Sequence, residues 1–229
     1  MISLFINRTV IGVVVFLLPF IGFSQDQDFQ IWSGVEVNYK WNKKLSFALE
    51  QNLRTAHNSL LVGKTFSELK VNYDLPKKMR ITGGYRFVQL YIGEKSLGHR
   101  LFADFKYSYK LDRIKFKYRL RYQHQTSKEK TSNTFRNQFK IAYNLPKTSI
   151  EPFLAGESYY TFFRGFEKYR ITVGLSEKFG KKIKGSIYYR YQREVNYANV
   201  ETQNIVGVSL SYDLGKRKKK KNQPQKIAE

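Results

Sequence analysis

The stretch Lys110–Gln125, "KLDRIKFKYRLRYQHQ", decides the fold. Apolar or aromatic residues occupy every second position of its centre: Ile114, Phe116, Tyr118, Leu120 and Tyr122. The positions between them are polar: Lys115, Lys117, Arg119, Arg121 and Gln123. Alternation with a period of two is typical of a β-strand with two different faces. Two interpretations are open: a basic and aromatic surface that binds nucleic acid, or a strand with lipid on one side and a charged, wet lumen on the other.

The composition is strongly basic and contains no cysteine. The 229 residues carry a formal net charge of +23, and aromatic residues make up 16% of them. Cationic charge on this scale suggests nucleic acid or anionic lipid as a partner. The absence of cysteine excludes disulfides, thiolate chemistry, cysteine-ligated zinc and a lipid-modified N-terminal cysteine.

The first residues favour export. Residues 1–24 contain a single cation, Arg8, then an apolar run from Val10 to Phe23 and small residues around Gly22 and Ser24. This is the pattern of a secretory signal peptide. The alternative, a membrane anchor, is disfavoured because a helix needs about 20 apolar residues to span a bilayer. An exported chain does not meet the chromosome, so we expect no nucleic-acid partner.

Period-two alternation recurs along the rest of the chain and predicts an all-β fold. Eleven segments show it: 30–41, 45–55, 64–75, 79–90, 98–111, 114–126, 133–145, 150–162, 167–179, 183–194 and 202–214. Their length suits tilted strands that cross a bilayer. In lipid the sheet must close on itself, because no edge may leave backbone groups unpaired. Residues 25–215 are therefore predicted to form an antiparallel transmembrane β-barrel.

The strand number stays open at ten to twelve. Bacterial single-chain barrels normally have an even number of strands. An eleven-strand count leaves two explanations. Either the first segment lies outside the closed wall, which gives ten, or one strand has been missed or split.

A turn motif repeats at intervals of about 35 residues. Its turn residues are Asn42, Pro76, Asp112, Pro146, Gly180 and Gly215. The other connections are longer and more polar: 56–63, 91–98, 127–132, 163–166 and 195–201. Short periplasmic turns and longer outer loops are typical of barrels in a Gram-negative outer membrane. We expect that location, with outer-membrane lipid as a partner; oligomeric state is not indicated.

A tyrosine precedes most of these turns on the apolar parity. The five are Tyr39, Tyr73, Tyr109, Tyr143 and Tyr212. Tyrosine is favoured at a membrane–water boundary because its ring is apolar and its hydroxyl stays wet. The five residues are predicted to form an aromatic girdle.

The opposite parity is predicted to give a basic lumen. Its main cations are Lys115, Lys117, Arg119, Arg121, Arg136 and Arg190. Lysine or arginine facing the middle of the lipid costs roughly 2–4 kcal/mol each, so these side chains must point inward. Two hypotheses follow. The lumen is a structural interior filled by ion pairs, or it is a small-solute barrel that favours anions.

Two other functional classes remain as alternatives. An outer-membrane lipid-modifying enzyme would use a rim site, and His57, His99 and His124 all fall near predicted outer loops, with His124 close to Ser127 and Glu129. No nucleophile elbow or metal-ligand spacing is present, so we assign no catalytic residue, metal or cofactor. A secreted basic β-protein that binds polyanions is the third hypothesis.

The C-terminal residues 216–229, "KRKKKKNQPQKIAE", are basic and lack apolar periodicity. Such a segment is predicted to be disordered. It is either a solubilising extension or an electrostatic tether to inner-leaflet headgroups or an acidic envelope polymer.

Two stretches resemble a known family. They are "DFQIWSGVEVNYKWNKKLSFALEQNLR", which contains Trp32, and "YDLPKKMRITGGYRF", which begins at Tyr73. Both resemble the uncharacterised outer-membrane β-barrel family catalogued as domain-of-unknown-function twenty-four-ninety. The resemblance covers roughly residues 27–214. It implies a barrel located in the outer membrane, and it implies no catalytic residues. We expect the barrel-assembly machinery to be the partner that inserts the chain.

Overall fold

A computed structural model describes residues 27–93, 95–128, 131–196 and 200–216. The predicted signal peptide, 1–24, lies outside these residues, as does the predicted tail after Lys216. Within these ranges no helix is long and apolar enough to cross a membrane.

The described chain is built from eleven strands, one for each segment that the sequence predicted. They are β1 Gln27–Lys40, β2 Leu45–Ala56, β3 Leu61–Asp74, β4 Met79–Leu90, β5 Ser96–Leu111, β6 Ile114–Ser127, β7 Thr131–Tyr143, β8 Ile150–Thr161, β9 Gly165–Phe179, β10 Ile183–Glu194 and β11 Thr202–Lys216. Each strand pairs antiparallel with the next one in sequence, and the sheet closes into a barrel.

The barrel closes through a parallel pair. Strand β1 lies beside β11 in parallel register, from Gln27 opposite Thr202 to Asn38 opposite Asp213. In an up-and-down barrel with an odd number of strands, the first and last strands must run in the same direction. The first segment is therefore part of the wall and no twelfth strand is needed, so the strand number is eleven.

The two ends of the barrel carry different connections. We call the end with connections 41–44, 75–78, 112–113, 144–149 and 180–182 the turn end. The loop end carries 57–60, 91–95, 128–130, 162–164 and 195–201. The difference in length is smaller than the sequence suggested, because β3, β5, β6, β7 and β9 extend into the segments that we had assigned to loops.

The turns use the residues that their backbone requires. The Asn42 side-chain oxygen accepts hydrogen bonds from the backbone N–H groups of Lys44 and Leu45, each 2.8 Å long. Asp112 and Gly180 have positive φ angles of 46° and 68°, as tight turns of this kind demand. Gly215 was predicted to be a turn residue, but it lies within β11, beside an irregularity in the register with β1.

The sheet has an apolar outer face and a polar inner face. Large apolar side chains such as Leu49, Leu101 and Phe139 are exposed on the outside, Phe139 at 64%. Buried inner positions include charged residues, among them Glu68 and Asp104. The alternation that the sequence showed thus separates two environments.

Two glycines give inner aromatic rings room to lie flat on the wall. Phe102 covers Gly84 on the neighbouring strand, and Tyr188 covers Gly207. A Cβ atom on either glycine would overlap the ring. These pairs fill the interior where a barrel of this size would otherwise contain gaps.

Candidate functional site in the barrel interior

Side chains from β6 reach carboxylates two strands away, which is possible only through the interior. Lys115 pairs with Glu151, and Arg119 Nη2 lies 2.7 Å from Glu157 Oε1. Both carboxylates belong to β8, while β6 pairs with β5 and β7. These contacts are the ones expected of an inward-facing row, and the basic lumen stays a prediction.

Glu157 is the centre of a charge network at mid-height. Its Oε1 atom lies 2.7 Å from both Arg119 Nη2 and Arg136 Nη2. Its Oε2 atom accepts from the Tyr159 hydroxyl at 2.9 Å and from Arg170 Nη1 at 3.3 Å. Glu157 is only 7% exposed, so its charge is balanced by side chains and not by bulk water.

Two further carboxylates hold one arginine each in close geometry. Asp104 accepts two hydrogen bonds from Arg121, at 2.5 Å from Nε and 2.8 Å from Nη2. Glu68 accepts from Arg86 Nε at 2.5 Å. The two-point pairing of Arg121 with Asp104 fixes the guanidinium plane as well as its position. We define the arginine belt as the five arginines with the three carboxylates that bind them: Arg86, Arg119, Arg121, Arg136, Arg170, Glu68, Asp104 and Glu157.

Aromatic rings stack on the guanidinium groups of the interior. Arg121 lies 3.8 Å from the centre of the Phe102 ring, and Arg86 lies 3.8 Å from Phe66. Arg54 lies 3.6 Å from the Trp32 ring. Stacking is worth about 2 kcal/mol when the cation is desolvated. The sequence analysis did not identify these aromatic residues as interior ones, although they lie on the same strand faces as the charged residues.

Arg190 has aromatic and hydroxyl partners in the described chain, but no carboxylate. Its Nε atom donates to Thr172 Oγ1 at 2.9 Å. Its guanidinium lies 4.8 Å from the Tyr188 ring and 5.2 Å from Trp32. Of the six cations expected in the lumen, four thus have an acidic partner, and Lys117 and Arg190 have none among the described residues.

The turn end of the lumen contains a basic cavity of about 490 Å³. We call it the turn-end cavity. Its charged lining comprises one carboxylate and six cations: Asp74, Lys78, Arg80, Lys106, Lys117, Arg119 and Lys140. Asp74 is already bound by Arg80 Nε at 2.5 Å. Within the lining itself, therefore, the other five cations have no carboxylate to balance them, although Lys106 and Arg119 reach carboxylates outside it.

The predicted tyrosine girdle lies on the outer surface near the turn end. Tyr73, Tyr109 and Tyr143 are each at least 40% exposed. Tyr39 and Tyr212 are half-buried; they lie opposite Phe47 and Ile183 respectively. Sequence reasoning missed a second group of exposed outer aromatics near the loop end: Tyr91, Tyr160, Phe162, Phe163 and Phe166.

The histidines lie near the loop end. His57 begins a connection, and His99 contacts the Tyr85 hydroxyl at 2.6 Å. His124 Nδ1 lies 2.7 Å from Asn133 Oδ1, and its Nε2 lies 3.2 Å from Thr126 Oγ1. The sequence had pointed instead to Ser127 and Glu129. Ser127 is the last residue of β6, and Glu129 lies outside the described residues.

Metal ligands do not cluster in the described part of the chain. No group of three or more histidine, aspartate or glutamate side chains there is arranged to hold an ion. The interior carboxylates contact arginine and lysine instead.

Comparison with known proteins places the chain in a family. A family model described as "Protein of unknown function (DUF2490)" matches residues 29–204, which is most of the barrel. No curated protein matches the chain. The match agrees with the resemblance seen in the strand and turn sequences around Trp32 and Tyr73. The chain therefore belongs to the family described as Protein of unknown function (DUF2490).

Proposed function

We propose that the protein is an integral β-barrel of a Gram-negative outer membrane, closed to bulk flow at mid-height, which holds small anions in the basic turn end of its lumen. The observation that carries this proposal is a distribution of side chains opposite to that of a soluble protein. Exposed apolar side chains cover the outside of the barrel while charged side chains are buried within it. A continuous exposed apolar surface of this kind is a liability in water and is favourable in lipid.

Strand length supports the membrane placement. The strands have 12 to 16 residues, and a tilted strand needs about 9–11 to cross the hydrocarbon layer. The aromatic residues near both ends are suited to the two boundaries. In the proposed orientation the turn end faces the periplasm, and the barrel-assembly machinery inserts the chain.

Ion pairing supports a closed middle. The belt and the aromatic rings that stack on its guanidinium groups draw side chains from eight of the eleven strands: β1, which supplies Trp32, and β3 to β9. A barrel of this size is mostly filled by its own side chains. Solute entering from the turn end would meet cations first and the paired belt next.

Membrane extraction of the exported chain tests the placement. We expect the protein to resist a carbonate wash and to run at different positions on a gel before and after heating. An epitope inserted in 162–164 should be accessible on intact cells, whereas one inserted in 112–113 should require permeabilised cells. Release by carbonate together with unchanged gel mobility would overturn the proposal.

Planar-bilayer recording of the refolded protein tests the closed middle. We expect no large steady conductance. A stable open level with anion selectivity would show instead that the lumen conducts solutes.

A second candidate function is an acyl hydrolase at the loop-end rim, because His124 contacts a hydroxyl and an amide oxygen on its two ring nitrogens. Asn133 Oδ1 can only accept, so Nδ1 carries the proton and Nε2 can accept the proton of the Thr126 hydroxyl. The Thr126 oxygen would attack an ester carbonyl, and His124 would pass the proton to the departing alcohol. Water would then hydrolyse the acyl-threonine.

Phospholipid hydrolysis in vesicles tests this candidate. His124→Ala should abolish ester cleavage, Thr126→Ser should retain it, and His99→Ala is the matched control because His99 contacts Tyr85 near the same end. Equal lipid turnover in His124→Ala and in the unmodified protein would eliminate the candidate.

A further inference from the structure

The turn-end cavity is lined by more cations than carboxylates. Three of its six cations have a carboxylate partner: Arg80 with Asp74, Lys106 with Asp104 at 3.3 Å, and Arg119 with Glu157. The other three, Lys78, Lys117 and Lys140, contact no carboxylate among the described residues. Lys140 is half-buried, while Lys78 and Lys117 are exposed. Three cations around one space with no carboxylate of the described chain in contact give it a positive potential, so this cavity is suited to a negatively charged occupant.

Two of these lysines face each other. Lys117 on β6 and Lys140 on β7 are direct partners in the strand register. Like charges placed directly opposite destabilise a sheet. Lys140 Nζ is also held 3.2 Å from the centre of the Phe153 ring, which fixes its position next to the cavity. The pair is a preformed site at which one anion would relieve the repulsion between two cations.

We propose that the turn-end cavity binds the phosphate group of a small phosphorylated solute, with Lys117 and Lys140 as its main ligands. The proposal deepens the proposed function, and it rests on that function for the statement that solutes reach the lumen from the periplasm. The binding site itself depends only on the geometry of the barrel.

The type of cation favours phosphate over carboxylate. Lysine is a compact point charge with three donors that can follow oxygens in several directions, whereas arginine matches a planar carboxylate with two parallel bonds. In this protein Arg121 already binds Asp104 in that planar manner. Ser108 and Gln138 add neutral donors to the lining, as a tetrahedral anion with several oxygens requires.

The size of the cavity favours an ester over the bare ion. About 490 Å³ falls within the range of sites for small organic ligands and exceeds what inorganic phosphate needs. Leu75 and Met79 also line the cavity, and they would contact the organic part of a monoester. Lys117 is exposed, so the ligand can reach the site from the turn end.

Calorimetric titration of the full-length barrel in an uncharged detergent tests the proposal. The probes are glycerol 3-phosphate, inorganic phosphate, acetate and chloride at constant ionic strength. We expect saturable binding of both phosphates, with glycerol 3-phosphate the tighter, and only non-saturable responses to acetate and chloride. Lys117→Met and Lys140→Met should each weaken glycerol 3-phosphate binding roughly tenfold, and the double variant at least about fiftyfold.

Lys64→Met is the matched control. Lys64 is a half-buried lysine on β3 near the loop end, and the charges that act on it most strongly belong to Arg54, Arg100, Arg170 and Lys168. Its removal takes one positive charge from the interior without touching the cavity. Binding should change less than about twofold, which is close to the effect of a distant surface charge. An equal loss in Lys64→Met and Lys117→Met would overturn the site in favour of general charge attraction.

Nanodiscs distinguish the two sources of phosphate. If the site takes free solutes, glycerol 3-phosphate should bind equally in nanodiscs with and without phosphatidic acid. Competition by phosphatidic acid that is lost in the double variant would assign the site to a lipid headgroup, which overturns the solute part of the proposal. Absence of saturable phosphate binding in a barrel that passes the carbonate test would refute the site while leaving the membrane placement intact. Saturable phosphate binding by a protein that fails the carbonate test would support the site and refute the membrane placement.

Discussion

The arginine belt and the turn-end cavity are made from the same parity of the same strands, yet their charges have different surroundings. In the belt each guanidinium has a carboxylate within 3.3 Å. In the cavity Lys117 and Lys140 have none among the described residues, and they face each other. The basic residues of the interior thus fall into two groups, which differ in the distance from each cation to the nearest carboxylate. Paired charges fill the barrel, while the unpaired charges line the site that we propose for a ligand.

The side chains chosen for the two regions fit this division. Arginine is always charged and binds a carboxylate at two points, so it suits a fixed interior pair. Lysine is strongly hydrated and flexible, so it suits a wet cavity whose occupant comes and goes. Removing charges should therefore have opposite consequences for stability in the two regions.

The largest expected effect is the loss of the central carboxylate. Glu157→Gln leaves Arg119, Arg136 and Arg170 without their shared anion and should lower the free energy of unfolding by about 3–5 kcal/mol. Urea unfolding in detergent micelles, followed by gel mobility, measures it. Glu177→Gln is the control, because this carboxylate accepts a hydrogen bond from Ser149 near the turn end and should change stability by less than about 0.5 kcal/mol. Equal small losses in both variants would mean that the belt does not stabilise the barrel.

A smaller loss of stability is expected when a methyl group is added where an aromatic ring already lies. Gly207→Ala places a Cβ atom into the Tyr188 ring and should cost about 1–3 kcal/mol in unfolding free energy. Gly156→Ala is matched to it, since no atom lies within 4 Å of the added Cβ, and it should be neutral or slightly stabilising. Thermal midpoints of the gel-mobility shift compare the two. A neutral Gly207→Ala would show that the interior packing near β11 is loose.

The smallest expected effect has the opposite sign. In the absence of ligand, Lys117→Met removes the repulsion with Lys140 and should raise the unfolding free energy by roughly 0.2–1 kcal/mol at low salt. Added salt should erase the gain, because the cavity is open to solvent. Lys70→Met provides the contrast: Lys70 bridges Glu36, Glu50 and Glu68, and its loss should be destabilising at any salt concentration. Destabilisation by Lys117→Met at low salt would contradict the idea that this lysine is uncompensated.

The strands could be predicted from the sequence because their signal is local. The bounds 79–90 and 183–194 agree with β4 and β10, and 114–126 differs from β6 by one residue. The strand number could not be settled, because closure depends on how β1 meets β11 at the opposite end of the chain. The lengths of the loops were overestimated, since polar residues near the loop end still belong to paired strands.

The ion pairs inside the barrel could not be predicted from the sequence. Lys117 and Arg119 are two residues apart on one strand face and look equivalent in the sequence. In the structure Arg119 reaches Glu157 on β8, while Lys117 stands opposite another cation. Which acid meets which base depends on the stagger of strands around the barrel, and the period-two pattern contains no information on that stagger.

The parallel closure has a consequence for the order of assembly. Ten of the strand pairs join neighbours in sequence and can form as local hairpins. The eleventh joins the two ends of the sheet, where the Asn38 side chain donates to Ser211 Oγ from 173 residues away. A contact of such long range forms slowly, since the entropy cost of closing a large loop must be met before the contact stabilises the sheet. The closing step therefore falls to β1 and β11, and until they meet the growing sheet has two unpaired edges that must be kept from other chains.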